Sequence, residues 1–188
     1  MDTKLNELIK SSQKGNKEAL EKLIKSQQSL IYATLYYLKK DGSDINDLVQ
    51  EVLLKLTNKI KQLKNPDYFK TWLNQIVVNS YYDYLRKNKK YSNELYLDKK
   101  EADSIFEIPD YSQNPQESIL NSELDYIIKT SINNLPIQYK IPITLREIQG
   151  LTYDEISNIT KTSLGTVKSR IARARAKIKD DINKYSGA

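Results

Sequence analysis

The stretch that decides the fold is Leu151–Lys179, "LTYDEISNITKTSLGTVKSRIARARAKIK". Thr152 followed three residues later by Glu155 is a capping box, which predicts a helix start. Ile156 and Ile159 give that helix a buried side, "TKTS" at 160–163 makes a turn, and a longer helix follows from about Leu164. On a wheel of about 100° per residue this second helix sorts into three zones. Val167, Ile171, Ala174 and Ile178 form an apolar stripe. The face pointing away carries Gly165, Ser169, Ala172 and Ala176, all small. Thr166, Arg170, Arg173 and Lys177 flank that strip on one side, and Lys168, Arg175 and Lys179 on the other. A small-residue ridge lets a backbone approach the floor of a DNA groove, while basic rims reach the phosphates of both walls. This is the layout of a helix–turn–helix whose second helix enters the major groove.

Arginine is scarce in the chain, which sharpens its meaning here. Only five of the 30 basic residues are arginines, and Arg170, Arg173 and Arg175 lie within six positions. From Lys161 to Lys179 there are seven basic residues and no acidic one. Basic side chains near a helix C-terminus also complement the macrodipole, so charge alone leaves a solvated face as the alternative. The acid-free run, with Arg chosen over abundant Lys, favours nucleic acid. The net charge of +6 and pI near 9.2 fit a polyanionic partner.

Charge is also blocked along the chain. Glu94–Glu123 holds eight acidic and two basic residues, and Arg86–Lys90 holds four basic residues in five. Cysteine and histidine are absent, which removes disulfides, thiolate nucleophiles, His- or Cys-based zinc sites and imidazole catalysis together. The expectation is a protein that is not an enzyme and uses no cofactor or metal. The mixed-charge N-terminus, "MDTKLNELIK", is unlike a secretory signal. No apolar run approaches the roughly 20 residues needed to span a bilayer. A cytoplasmic location with no membrane contact follows as the expectation.

Helical spacing dominates elsewhere, and strand-type alternation is nearly absent. "LNELIKSSQKGNKEALEKLIKSQQSLIYATLYYLKK" reads as two or three short helices broken at Gly15-Asn16. "DGSD" ends one helix and caps the next through Ser43 or Asp44. Ile45, Leu48, Val49, Val52, Leu53, Leu56, Ile60 and Leu63 then line one apolar face, leaving Asp47, Gln50, Glu51 and Lys55 on the other. "KNPDYF" is a loop with Pro66 as breaker, and a helix runs roughly from Lys70 to Lys90. Residues 93–116 lack periodicity and hold Pro109, Pro115 and several acids, so they read as a flexible acidic linker. Helical spacing resumes at Ile119, is punctuated at Leu135-Pro136, and ends at Gly150. The expected fold is all-α: two helical domains joined by the linker, the second a helix–turn–helix.

In that order, "DINDLVQEVLLKL", "FKTWLNQIVVNSYYDYLRKNKK" and the helix–turn–helix resemble an extracytoplasmic-function (ECF) sigma factor of the sigma-70 family. The resemblance covers essentially the whole chain. It implies a region 2-like domain at 1–92, a linker at 93–116 and a region 4-like domain at 117–188. It implies that Asp47, Gln50, Glu51 and Lys55 meet the clamp coiled coil of the β′ subunit of core RNA polymerase, the β subunit being a further partner. Asn79, Tyr82, Arg86, Lys87 and Lys90 match where the family melts and holds the −10 element. Asn65, Asp67 and Tyr68 are candidates for the loop pocket that takes an extruded base, although they also serve as turn residues. Unstacking a base costs a few kcal/mol, which aromatic contact and phosphate neutralisation offset.

Promoter DNA at the −35 element would meet Thr166, Lys168, Ser169, Arg170, Ala172, Arg173, Arg175, Lys177 and Lys179. Acidic linkers in this family thread polymerase channels, where Glu101, Asp103, Glu107 and Asp110 would imitate phosphates; a solvated spacer is the alternative. The family also implies an anti-sigma factor as partner. Two departures stand out. Lys161 and Thr162 occupy turn positions that favour a glycine and an apolar residue, which predicts a remodelled turn. Ala172 stands where some members of the family carry a bulkier side chain, which predicts altered or relaxed −35 preference. Two rivals remain at this point. One is a LuxR-type helix–turn–helix regulator acting without core polymerase, and the other a carboxylate-dependent nuclease, for which no tight Asp/Glu constellation speaks.

Overall fold

The computed structural model describes residues 3–39, 44–94 and 115–186, with side chains at 89–94, 115–123 and 186 lying outside that description. Every regular element among the described residues is helical. Helix α1 spans Thr3–Gln13, α2 Lys17–Leu38 and α3 Ile45–Lys59. Two 3-10 turns, Ile60–Gln62 and Pro66–Tyr68, lead into α4, Phe69–Glu94. The second helical region comprises α5 (Pro115–Asn133), α6 (Ile137–Glu147), α7 (Tyr153–Thr160) and α8 (Leu164–Ser186).

The first bundle packs α2 against α1, α3 and α4. The predicted stripe on α3 holds: Ile45, Leu48, Val49, Val52 and Leu56 are buried, and Leu53 packs at the edge of the core. Phe69, Leu73, Val77 and Val78 of α4 close the other side. Burying each such side chain contributes roughly 1.5–3 kcal/mol. In the second region Val167, Ile171 and Ala174 of α8 are buried against α6 and α7, with Ile178 half-buried at the end of the stripe.

Several local readings change. The N-terminal stretch forms two helices, and the second is 22 residues long rather than short. Asn16 caps it, its side chain accepting from the Ala19 amide at 3.0 Å. Asp44 makes no side-chain cap for α3; it sits at φ 55, in the left-handed region, instead of the extended backbone that an N-cap favours. Ser43, the other proposed cap, lies outside the described residues. Helix α4 begins at Phe69 and continues to Glu94, and α5 begins at Pro115, so the predicted linker 93–116 falls largely outside the described residues.

The two regions do not lie apart. Buried residues of both belong to one continuous apolar cluster, with α2 against α5 and α6 and α4 against α7. The helix–turn–helix itself is built as read. The Thr152 hydroxyl accepts from the Glu155 amide at 3.3 Å, and Glu155 Oε2 accepts from the Thr152 amide at 2.8 Å.

The turn keeps its geometry at Lys161 instead of being remodelled. Lys161 adopts φ 52 and ψ 42, donating its backbone N–H to the Ser157 carbonyl. The neighbouring hydroxyls reinforce it, Ser157 Oγ donating to the Thr162 carbonyl at 2.5 Å. A lysine there carries a left-handed strain that glycine avoids. Lys161→Gly is therefore expected to raise unfolding free energy by about 1 kcal/mol, less the unfolded-state entropy of glycine. Urea titration followed by circular dichroism measures it, and a lower midpoint would contradict the reading.

Candidate nucleic-acid interface

Helix α8 presents its sorted faces as one surface. Ser163 Oγ accepts from the Thr166 amide at 3.2 Å, so the helix starts on a side-chain cap. Gly165, Ser169, Ala172 and Ala176 are all exposed, as are Lys168, Arg173, Lys177 and Lys179. Thr166 and Arg170 are half-buried. Arg175 is already engaged: its Nε and Nη2 donate to Glu147 Oε1 at 3.0 and 2.7 Å. That exposed ion pair ties α8 to the end of α6 and removes one cation from the open rim.

On the first region, Asp47 and Gln50 are exposed on α3 and Glu51 half-exposed. Lys55 turns back into the bundle. Its Nζ meets Glu51 at 2.6 Å, Ser80 Oγ at 2.9 Å and Asp83 at 3.4 Å, bridging α3 to α4. Asp83 also pairs with Arg86. Burial pushes the Asp83 carboxyl up, but the hydrogen bonds and charges of Arg86 and Lys55 outweigh it and hold the group below the ordinary carboxylate range. An open groove of about 1130 Å³ gathers Lys55, Asn79, Tyr82, Asp83 and Arg86, with Ile137 of α6 at its edge. Lys87 is exposed beside them, and the Lys90 side chain lies outside the described residues.

The loop residues are held by local bonds. Asn65 Oδ1 accepts from the Asp67 amide, and Asp67 Oδ1 accepts from Asn6 Nδ2, each at 3.0 Å. Tyr68 stands 67% exposed, a free aromatic face beside them. Two residues escaped the sequence reading. Asp83 had a local signal, the i,i+3 spacing to Arg86; its link to Lys55 had none. Leu54 is 64% exposed on the same side of α3 as Asp47, Gln50 and Glu51. It was visible as the apolar residue that breaks the three–four spacing.

A family model described as Sigma-70 region 2 matches residues 23–91, and one described as Sigma-70, region 4 matches residues 126–178. The chain is 36% identical over 179 residues to the ECF RNA polymerase sigma-E factor of Haemophilus influenzae, covering 93% of each. It is 34% identical over 178 residues to that of Escherichia coli K12, covering 93% of this chain and 92% of that one. The fold matches CnrH, solved in complex with the cytosolic domain of CnrY, with TM-score 0.68 at 18% identity, over 97% of this chain and 99% of that chain. It also matches the sigma factor RpoE, solved in complex with the anti-sigma factor NepR from Bartonella quintana. That TM-score is 0.65 at 22% identity, over 89% of this chain and 96% of that chain.

Two helical regions that carry sigma-70 regions 2 and 4 in this order define a promoter-recognition subunit. The chain belongs to the ECF RNA polymerase sigma factors of the sigma-70 family. It is an alternative sigma factor that directs promoter-specific initiation. The LuxR-type alternative is not supported, because the half it would reserve for a sensor matches sigma-70 region 2. No described helix is long and apolar enough to cross a membrane.

The Arg175–Glu147 pair yields a test of the rim. Glu147→Gln frees the guanidinium for phosphate, and exposed pairs are worth about 0.2–1 kcal/mol. Binding to duplex promoter DNA, followed by fluorescence anisotropy at fixed salt, is expected to tighten by roughly two- to fivefold. Unchanged or weakened binding would place Arg175 outside the phosphate contacts.

Proposed function

We propose that residues 1–92 bind core RNA polymerase and work on the −10 element, and that residues 117–188 read the −35 element. The observation that carries this is the exposed ridge Gly165, Ser169, Ala172 and Ala176 between two basic rims. Lys168, Ser169, Ala172 and Arg173 face the bases, while Thr166, Arg170, Arg175, Lys177 and Lys179 meet phosphates. Ala172 leaves room in the groove and relaxes preference at the base it faces.

On the first region, Asp47, Gln50 and Glu51, with Leu54 as apolar centre, form the surface for the β′ coiled coil. Lys55 supports that surface by fixing α3 on α4. Asn79, Tyr82, Arg86, Lys87 and Lys90 hold the −10 strand, and Tyr68 stacks on an extruded base beside Asn65 and Asp67. The acidic linker passes along the β and β′ subunits. The protein acts without catalysis of its own, in the cytoplasm, and an anti-sigma factor covers one or both regions. What supports that last partner is the pair of fold relatives solved with CnrY and NepR.

Transcription in vitro with purified core polymerase and a promoter library tests the reading. Promoter-specific transcripts that depend on this chain are expected; DNA binding without core-dependent transcripts would refute it. Within the same assay, Arg173→Ala is expected to alter −35 sequence preference, changing the ranking of promoters. Lys179→Ala is expected to weaken binding evenly across sequences and to lower the salt slope by about one. Equal, sequence-independent losses from both variants would count against the assignment of faces.

A further inference from the structure

An acidic side chain stands in the groove that the polar and basic residues of α4 define. Asp83 lines it together with Asn79, Tyr82 and Arg86. A bare carboxylate there would repel a nucleic-acid strand, but this one has a cation on either side. Its Oδ1 accepts from Arg86 Nη2, and its Oδ2 accepts from Lys55 Nζ at 3.4 Å. The two cations offset its charge without exhausting it as an acceptor. A carboxylate offers about four acceptor sites, and these bonds take one on each oxygen.

A purely structural role accounts poorly for this arrangement. Ser80 bridges α4 to α3 more closely, its Oγ accepting from Lys55 Nζ at 2.9 Å, and Glu51 meets the same Nζ at 2.6 Å. Asp83 adds the longest of the three contacts. Its side chain is 38% exposed and that of Arg86 77%, and pairs so exposed contribute little to stability. What the carboxylate does contribute is an acceptor at the surface of an open groove. Around it the groove combines the apolar Ile76 and Leu85 with the ring of Tyr82, itself exposed. Apolar and aromatic side chains take the faces of an unstacked base, and polar groups beside them read its edge. Acceptors and donors select opposite bases. Cytosine and adenine present an exocyclic amine, N4 or N6, where thymine and guanine present a carbonyl oxygen. An ionised carboxylate only accepts, so it bonds the first pair and repels the second.

We infer that Asp83 is a specificity-determining residue for the −10 element. Its carboxylate accepts a hydrogen bond from the exocyclic amine of an unpaired cytosine or adenine, and disfavours thymine and guanine at that position. Lys55 and Arg86 make a carboxylate compatible with DNA there, while Arg86, with five donors in its fork, keeps others for a backbone phosphate. The inference rests on the proposed reading of α4 as the −10 surface, and the experiment separates the two.

Holoenzyme assembled from the full chain and purified core polymerase transcribes a promoter library with every −10 position randomised, and the bases of productive templates are counted. With the unsubstituted chain, one −10 position is expected to favour cytosine and adenine over thymine and guanine by about five- to tenfold. Asp83→Ala is expected to level the four bases at that position alone. Asp83→Asn, which keeps the shape and adds an amide donor, is expected to shift the same position toward thymine and guanine. A clamp that merely holds α3 on α4 would change output at every promoter alike, so an even loss in both variants overturns the inference. An even gain overturns it too, since Asp83 would then only compete with phosphate for Arg86. Unchanged base preferences, or no such position in the unsubstituted chain, have the same consequence. Arg86→Ala tests the underlying reading, and an even loss of output across promoters is expected. No loss removes α4 from the −10 surface, and the inference falls with it. An even loss for Arg86→Ala beside unchanged preferences for both Asp83 variants sinks the inference alone.

Discussion

The arrangement turns on one constraint: α2 is buried on two sides and must satisfy both. Its 22 residues span about 33 Å, long enough to serve as a wall for two packing partners. Leu23, Ile31, Leu35 and Leu38 supply the apolar core of the first bundle. Thr34 and Tyr37 turn toward the second region, where Gln149 and Asp125 receive them. Lys129 of α5 sits 3.5 Å from the centre of the Tyr36 ring, adding a cation–π contact on the same side. Exclusion of water thus fastens both sides of α2, and toward the second region matched polar groups add to it. These fastenings differ in kind. Apolar burial is non-directional, whereas buried polar groups demand specific partners and so fix a register.

What was legible in the sequence follows from this division. Periodicity reports a helix's own buried face, so the stripes on α3 and α8 could be read residue by residue. A capping box is likewise local, and Thr152 with Glu155 announced α7. Contacts between distant positions leave no such trace. Nothing in "GLTYDE" announces that Gln149, just before it, will be buried against Thr34, or that Glu155 will also serve Thr71. The same holds for Lys55, whose helix face suggested an outward contact until Asp83 and Ser80 were placed beside it. The reading of Asp44 as a cap failed for a different reason. An Asp before a helix favours a cap only if its backbone is extended, and Asp44 is left-handed.

The turn between α7 and α8 shows how local strain is carried by its surroundings. Lys161 occupies a conformation that favours glycine. The hydroxyls of Ser157, Thr160 and Thr162 surround it, with Thr160 and Thr162 in contact at 2.9 Å. The buried stripe of α8 fixes the helix on the far side. The unfavourable residue is held in place from both directions, so the angle between the two helices survives a substitution that would loosen an isolated turn.

The same logic governs what the basic face of α8 offers to DNA. Its cations are not equivalent. Arg175 is committed to Glu147, and Arg170 is half-buried toward Tyr82, while Arg173, Lys168, Lys177 and Lys179 remain exposed. Total charge therefore overstates the field that a duplex meets in the packed form. The Arg175–Glu147 pair lies within the second region, α8 against α6, whereas Arg170 acts electrostatically on Tyr82 of the first. The two arginines are therefore drawn on by different neighbours, one a carboxylate and the other a phenol. A face that looks uniform in sequence is, in three dimensions, unequally available.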